Sequence, residues 1–253
     1  IFVFIIFDIL MEHSLIIIPT YNEFDNIHHM IDVIFSISNK VHILVVDDSS
    51  PDGTAGTVKK LQKKYNHNLF LLERQEKKGL GTAYIEGFKW GLKKSYKYFF
   101  QIDCDFSHNP NDLVRLYGQI VESDLDLCIG SRYITGINVV NWPMSRVLLS
   151  YFASFYVRFL TGMQIKDPTA GYKVYKRKVL ESIALNNVEF VGYAFQIEMK
   201  FRTWKKGFKI KELPIIFKDR ERGVSKLNSS IIKEAVFGVL KMKIKSLFSS
   251  DYK

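Results

Sequence analysis

The strongest restriction on the fold of this chain is a repeated pairing of a short, unbroken apolar run with a longer segment of helical periodicity. The runs are Leu15 to Ile18, Val41 to Val46, Leu69 to Leu72, Tyr98 to Ile102 and Asp126 to Ile129. Such runs read as strands covered on both faces. Between them, Asp25 to Ile37 places Ile27, Met30, Ile31, Ile34 and Phe35 at helical spacing, and Gly79 to Lys94 and Asp112 to Val121 read as further helices. Alternating strands and helices imply an α/β fold on a mostly parallel sheet with right-handed crossovers, whose ligands bind beyond the carboxyl ends of the strands.

The runs stop at polar turns, and those turns hold the residues with chemistry. Pro19-Thr20-Tyr21-Asn22-Glu23 follows the first run, Asp47-Asp48-Ser49-Ser50-Pro51-Asp52-Gly53-Thr54 the second, Asp103-Cys104-Asp105-Phe106-Ser107-His108 the fourth and Gly130-Ser131-Arg132-Tyr133 the fifth. The topology therefore gathers Glu23, Asp48, Asp103, Asp105 and Arg132 along one edge. Strand alternation sends Asp103 and Asp105 to one side and Cys104 to the other. Two adjacent acids repel; they suit either an exposed strand end or a divalent cation such as magnesium or manganese held between them. Asp48 similarly suits a turn or an acceptor for the N–H groups of a nucleotide base.

Thirty-six Lys and Arg against 26 Asp and Glu give a net charge of +10, which favours an anionic partner: nucleic acid, a phosphorylated ligand or an anionic membrane surface. The two cysteines, Cys104 and Cys128, are too few for a disulfide framework and read as small buried thiols. The six histidines lack metal-ligand spacing, and no Gly-x-Ser-x-Gly elbow is present, which argues against a zinc site and a serine triad. Gly79-Leu80-Gly81-Thr82-Ala83-Tyr84 lacks the third glycine of a dinucleotide fingerprint and reads as close packing at a helix start.

Residues 1–10 precede Met11 and read as an upstream extension outside the fold; residues 11–227 read as one catalytic domain and 228–253 as a basic amphipathic helix. Within the domain, Val147 to Leu160 is apolar and aromatic but carries Arg158, so it reads as a helix packed on the domain or lying at an interface. Ile232, Val236, Val239, Leu240, Ile244, Leu247 and Phe248 share a face of the terminal helix, with Lys233, Lys241 and Lys245 off it. That pattern suits packing on the domain or lying on an anionic bilayer. Arg220 and Lys226 flank Gly223 in a basic loop, either solvated or able to close on a diphosphate.

Taken together, Pro-Thr-Tyr-Asn-Glu at 19–23, Val-Asp-Asp-Ser-Ser-Pro-Asp-Gly-Thr at 46–54, Gly-Leu-Gly-Thr-Ala-Tyr at 79–84, Asp-Cys-Asp-Phe-Ser-His at 103–108, Gly-Ser-Arg-Tyr at 130–133, Asp-Pro-Thr-Ala-Gly-Tyr-Lys at 167–173 and Arg-x-x-Gly-x-Ser-Lys at 220–226 resemble, in order, the dolichol-phosphate (polyprenol-monophosphate) mannosyltransferases of glycosyltransferase family 2. The resemblance implies a GT-A fold and inverting transfer of mannose from GDP-mannose to a polyprenyl phosphate at the cytoplasmic face of a membrane, without nucleic acid. It also implies that Pro19, Tyr21, Glu23, Val46 and Asp48 hold the guanosine part of the donor. Asp103, Cys104 and Asp105 would meet the sugar, with both carboxylates on Mg2+ or Mn2+ and the diphosphate. Arg132, Arg220 and Lys226 would bind phosphates of donor or acceptor, and Arg146 and Ser150 the lipid phosphate. Asp103, Asp105 and Arg132 are then the catalytic candidates. Short forms of the family in some organisms use small membrane-anchoring subunits. A phosphate acceptor is already anionic and needs no general base. A UDP-glucose-type donor, a hydroxyl acceptor with Glu198 as base, and a non-catalytic binder of nucleotides or anionic lipid are the alternative readings.

Overall fold

The computed structural model describes residues 11–219 and 229–252; residues 1–10, Arg220, Gly223 and Lys226 lie outside these. The first half follows the expected alternation: β1 (Ser14–Thr20), α1 (Phe24–Ile37), β2 (His42–Asp47), α2 (Thr54–Tyr65), β3 (Leu69–Glu73), α3 (Leu80–Leu92), β4 (Tyr98–Gln101), α4 (Asp112–Glu122) and β5 (Leu127–Ser131). Beyond it come β6 (Val139–Val140), α5 (Met144–Thr161), β7 (Lys173–Lys176), α6 (Arg177–Ser182), α7 (Tyr193–Lys205), β8 (Ile210–Pro214), β9 (Phe217–Lys218) and α8 (Ser229–Phe248).

Seven strands form one sheet in the order β3-β2-β1-β4-β7-β5-β8, and β6 pairs with β9 beside it. β7 runs antiparallel to both β4 and β5, whereas the other pairs in the sheet are parallel. This is the mostly parallel sheet between helices of a GT-A fold, with one reversed strand inserted at its centre. The strand residues alternate between two cores. Leu15, Ile17, Leu44, Val46 and Phe99 pack with Tyr84 and Phe88 of α3 and Phe195 of α7. Ile16, Ile18, Ile43, Val45 and Phe100 pack with Ile27, Met30 and Ile31 of α1 and Leu113 and Leu116 of α4. Burial on both faces explains why these strands read as continuous apolar runs.

The terminal helix departs from a single apolar face. Val239 and Met242 of α8 are buried against the domain, while Phe237, Ile244, Leu247 and Phe248 are exposed. Tyr252, just beyond α8, is buried beneath the Arg202 guanidinium. Two of the lysines placed off the apolar face are engaged within the fold, Lys241 and Lys245 bonding Glu189 at 2.8 and 2.5 Å, and the neighbouring Lys243 Nζ donates to the Thr161 carbonyl that ends α5. The side of α8 facing the domain is thus an integral part of it. No helix among the described residues is long and apolar enough to cross a membrane.

Candidate active site

β1 and β2 end together, with Pro19 opposite Val46 and Thr20 opposite Asp47. Their two turns are knitted by short hydrogen bonds. Asp47 accepts from the Thr20 and Ser50 hydroxyls at 2.7 and 2.6 Å, and Asp52 accepts from the Phe24 and Thr54 backbone N–H groups at 3.0 Å each. Glu23 Oε2 accepts from Asn26 Nδ2, and Lys77 Nζ lies 3.9 Å from the centre of the Tyr21 ring. Pro19 and Tyr21 are partly exposed, but the Val46 side chain lies wholly in the core. Only the Val46 backbone can therefore line a ligand site.

Asp48 has a partner that sequence reasoning missed. Arg74, also buried, donates from Nη1 to Asp48 Oδ1 at 2.7 Å and from Nη2 to Thr82 Oγ1 at 2.6 Å. Burial pushes the Asp48 carboxyl above its usual range, and the Arg74 guanidinium and the N–H groups of Gly79 and Lys78 oppose the shift. Arg74 directly follows β3, so the strand-end rule that singled out Asp48 and Asp103 would have found it had it been applied to the third strand. Gly81 sits in the same corner. A Cβ there would stand 2.7 Å from Phe195 Cγ and 2.9 Å from the Phe190 carbonyl, so this glycine is the packing element the motif suggested.

β4 stops at Gln101, and Asp103 and Asp105 lie in the turn after it instead of on an extended strand. Tyr84 Oη, at 3.0 Å, donates to Asp103 Oδ1, and the Ser107 N–H donates to Asp105 Oδ1 at 3.1 Å. Burial and the neighbouring Asp105 charge push the Asp103 carboxyl above its usual range, while His108 and Lys173 pull it down. Cys104 is buried in the core although the segment is a turn and not a strand, and burial pushes its thiol well up. Its side chain therefore faces away from the two carboxylates, and only its backbone can line a ligand site beside them.

Two neighbouring carboxylates in one largely buried turn suit a hard divalent cation, whose presence would relieve their repulsion. The described residues hold no cluster of three or more acidic, His or Cys side chains able to cage an ion. The pair therefore fits a cation that completes its shell with ligand or water oxygens, as magnesium-type sites do.

At the end of β5, Arg132 is already engaged. Its Nε and Nη2 bond the two oxygens of Asp167 at 2.7 and 2.6 Å, and Nη2 also reaches Thr169 Oγ1 at 2.7 Å. Tyr133, Trp142 and Phe217 surround the guanidinium. Burial raises the Asp167 carboxyl, but Arg132 more than offsets this and leaves it below the usual range. Arg132 is thus first a brace between β5 and the 167–171 turn. Arg146 and Ser150 lie one turn apart on α5. Arg146 Nη1 bonds both oxygens of Asp219 at 3.0 Å and stacks on Trp142, while Ser150 Oγ accepts from Tyr133 Oη at 2.7 Å.

Glu198 does not reach the crevice. It is fully buried; Oε2 accepts from the Glu189 and Phe190 N–H groups and Oε1 from Arg202. A carboxylate committed to four donors and shut from solvent is a structural anchor, which removes it as a general base. Sequence reasoning also missed Tyr84, Lys173 and Lys200. A buried tyrosine in a helix pattern is indistinguishable from core, and a lysine in a strand or helix ordinarily reads as surface.

Residues 15–184 match the model of glycosyl transferase family 2. The chain is 45% identical over 234 residues to polyprenol monophosphomannose synthase of Mycolicibacterium smegmatis, covering 92% of this chain and 88% of that protein. It is 42% identical over 225 residues to undecaprenyl-phosphate mannosyltransferase of Micrococcus luteus, covering 89% and 91% respectively. Among solved structures, glucosyl-3-phosphoglycerate synthase of Mycobacterium tuberculosis, in complex with Mn2+, UDP-glucose and phosphoglyceric acid, superposes with a TM-score of 0.69 at 16% identity, covering 95% of this chain and 83% of that one. With strand-end acids on a mostly parallel sheet, and a matching sequence over most of its length, the chain belongs to glycosyl transferase family 2.

Proposed function

We propose that this enzyme transfers mannose from GDP-mannose to a polyprenyl phosphate with inversion, releasing GDP. The observation that carries the reading is its 45% identity, over 92% of its length, to a protein named polyprenol monophosphomannose synthase. The site chemistry agrees with it. A phosphate monoester is an anionic nucleophile and needs no base, and the acidic side chain nominated for that task, Glu198, is sealed in a buried ion pair. That weighs against a hydroxyl acceptor.

In this reading Asp103 and Asp105 hold Mg2+ or Mn2+, which when bound offsets the charge developing on the departing diphosphate. Tyr84 and the Ser107 N–H orient the two carboxylates. Pro19, Tyr21, Glu23, the Val46 and Cys104 backbones and Asp48 line the donor side, with Arg74 setting the position of Asp48. Arg132 fixes the turn at 167–171 and lends positive charge to the phosphates. Arg146 and Ser150 receive the acceptor phosphate at the first turns of α5, while Arg220 and Lys226 add cations to the donor diphosphate. Catalysis is then positional and electrostatic: two anions are held in line and the leaving group is neutralised.

The acceptor arrives from a membrane, and the exposed side of α5 is suited to one. Met144, Leu148, Phe152, Phe155 and Phe159 are all exposed, Phe159 at 78%, and Phe237 and Phe248 of the adjoining α8 add to the same apolar character. Apolar exposure of this extent on a basic protein fits peripheral attachment to an anionic cytoplasmic leaflet. The test is transfer from labelled GDP-mannose, UDP-glucose and UDP-N-acetylglucosamine to a polyprenyl phosphate, with and without chelator. Transfer from GDP-mannose that chelator abolishes is expected; signal from a UDP donor alone overturns the donor assignment.

A further inference from the structure

The two arginines that flank Trp142 are held by their carboxylates in different ways. Arg132 meets Asp167 as a fork, Nε and Nη2 each on its own oxygen at 2.7 and 2.6 Å, and Asp167 is wholly buried. Arg146 reaches both oxygens of Asp219 from the single nitrogen Nη1, at 3.0 Å each, and its Nε is buried without a hydrogen-bond partner among the described residues. Charge-assisted bonds of this kind usually run at about 2.7–2.9 Å, and arginine pairs most strongly when two of its nitrogens face two oxygens. The side chains of Arg146 and Asp219 are also 20% and 27% exposed, and ion pairs that solvent reaches contribute little to stability. The Arg132 pair is a fixture; the Arg146 pair is one that a better anion can replace.

The main chain at Asp219 is fixed although its side-chain pairing is loose. β9 lies against β6 with Phe217 opposite Val139 and Lys218 opposite Val140, and the Asp219 N–H donates to the Val140 carbonyl at 3.0 Å. The Lys218 N–H donates to the Ser107 carbonyl at 3.1 Å, and Ser107 gives its own N–H to Asp105. Asp219 is therefore one residue from a direct bond to the acidic turn, while its carboxylate lies on the first turn of α5. Rotation about its side-chain bonds can release Arg146 with no movement of the main chain. Trp142, whose ring centre lies 4.1 Å from the Arg146 guanidinium, backs that group whichever anion it faces.

We infer that Asp219 is an internal stand-in for the acceptor phosphate: its carboxylate holds Arg146 until the phosphate of the acceptor displaces it, and so marks the place beside the acidic turn where that phosphate docks. The inference rests on the reading of Arg146 as an acceptor-phosphate group. A carboxylate brings one negative charge and two oxygens, whereas a phosphate monoester brings about 1.5 to 2 charges near neutral pH and three acceptor oxygens. The incoming group forms the stronger pair with the same guanidinium, and Asp219 turns aside. Asp219 is then a positioning residue that acts through Arg146, and its competition weakens acceptor binding.

The test is the dissociation constant of farnesyl phosphate, and separately of inorganic phosphate, measured by calorimetry on the whole chain at about pH 8, where a phosphate monoester is dianionic. Asp219→Ala removes the competing carboxylate and should tighten farnesyl phosphate binding by about three- to tenfold. A carboxylate that only braces Arg146 predicts the opposite sign, so unchanged or weaker binding by this variant overturns the inference. Should Asp219→Ala not fold, Asp219→Asn keeps the shape of the side chain and is expected to shift the constant in the same direction; no shift there overturns the inference equally. Inorganic phosphate should tighten alongside, and a gain confined to inorganic phosphate overturns the placement of the acceptor at this point. In Arg146→Gln, farnesyl phosphate should bind more weakly than in the wild type, and adding Asp219→Ala should change nothing further. If Arg146→Gln binds it like the wild type, the reading of Arg146 itself fails; if Arg146→Gln binds it weakly and Asp219→Ala alone brings no gain, only the stand-in fails.

Discussion

Arg132 and Asp167 stand 35 residues apart in sequence yet meet in a buried, two-pronged ion pair, with nitrogen to oxygen distances of 2.7 and 2.6 Å. The pair joins the end of β5 to the turn that passes behind Asp103. Deleting one partner leaves a buried charge uncompensated, which costs about 3–5 kcal/mol. Asp167→Ala should therefore lower the urea midpoint by that equivalent and abolish transfer. A variant of near wild-type stability would mean that the pair contributes little.

Asp105→Asn removes a negative charge while keeping the side chain's shape. Transfer should fall by ~10²-fold or more, with the melting temperature nearly unchanged, because the loss is of charge placed against the leaving group. Unaltered turnover would remove Asp105 from the metal and diphosphate assignment.

Arg74 acts on the donor through Asp48. In Arg74→Met the buried Asp48 carboxylate loses its charged hydrogen bond, and it should become either protonated or displaced. Steady-state kinetics should show a KM for the nucleotide sugar about tenfold higher, with kcat changed much less. An effect confined to kcat would contradict a donor-side role for the pair.

The parallel half of the fold was legible because both faces of β1, β2, β4 and β5 are buried and the edge strand β3 is partly covered, which prints continuous apolar runs. Strand-end chemistry then marked Asp48, Asp103, Asp105 and Arg132. β7 escaped because Lys173 and Lys176 flank its Val174 and Tyr175, and the pattern of a strand that buries a lysine is not apolar. The engagement of Arg132 by Asp167 and of Glu198 by Arg202 was equally hidden. A charged residue shows no sequence mark of the partner that occupies it, so a strand-end rule finds candidates without telling which are already engaged.

Hydrogen bonds from Lys241 and Lys245 hold Glu189 at about 2, against an ordinary value of 4.5. A depressed carboxyl contributes stability that is present above its unfolded value and lost as pH falls through the folded one. Glu189→Gln should therefore melt below the wild type at neutral pH, and the gap should close as pH approaches about 2. A gap that persists in acid would show that the two lysines do not anchor α8 through this charge.

Replacing Phe152, Phe155 and Phe159 together by Ser should weaken sedimentation with anionic vesicles by tenfold or more, since each buried aromatic contributes about 1.5–3 kcal/mol when removed from water. Turnover of a short, water-soluble phosphate acceptor should hold. Retained vesicle binding would place the membrane contact elsewhere than on α5.

The reversed strand at the centre of the sheet also bears on how the chain is made. β4 and β5 do not touch as neighbours; β7 lies between them and pairs with both. As the polypeptide leaves the ribosome, β1 to β4 can assemble side by side, but β5 must wait, unpaired on that side, until residues 173–176 have emerged. Synthesis therefore passes through an interval in which the nucleotide half is built while a slot stays open at its edge. The same late strand brings Lys173 with it, so the sheet closes and this side chain meets Gln101 at the end of β4 in a single event.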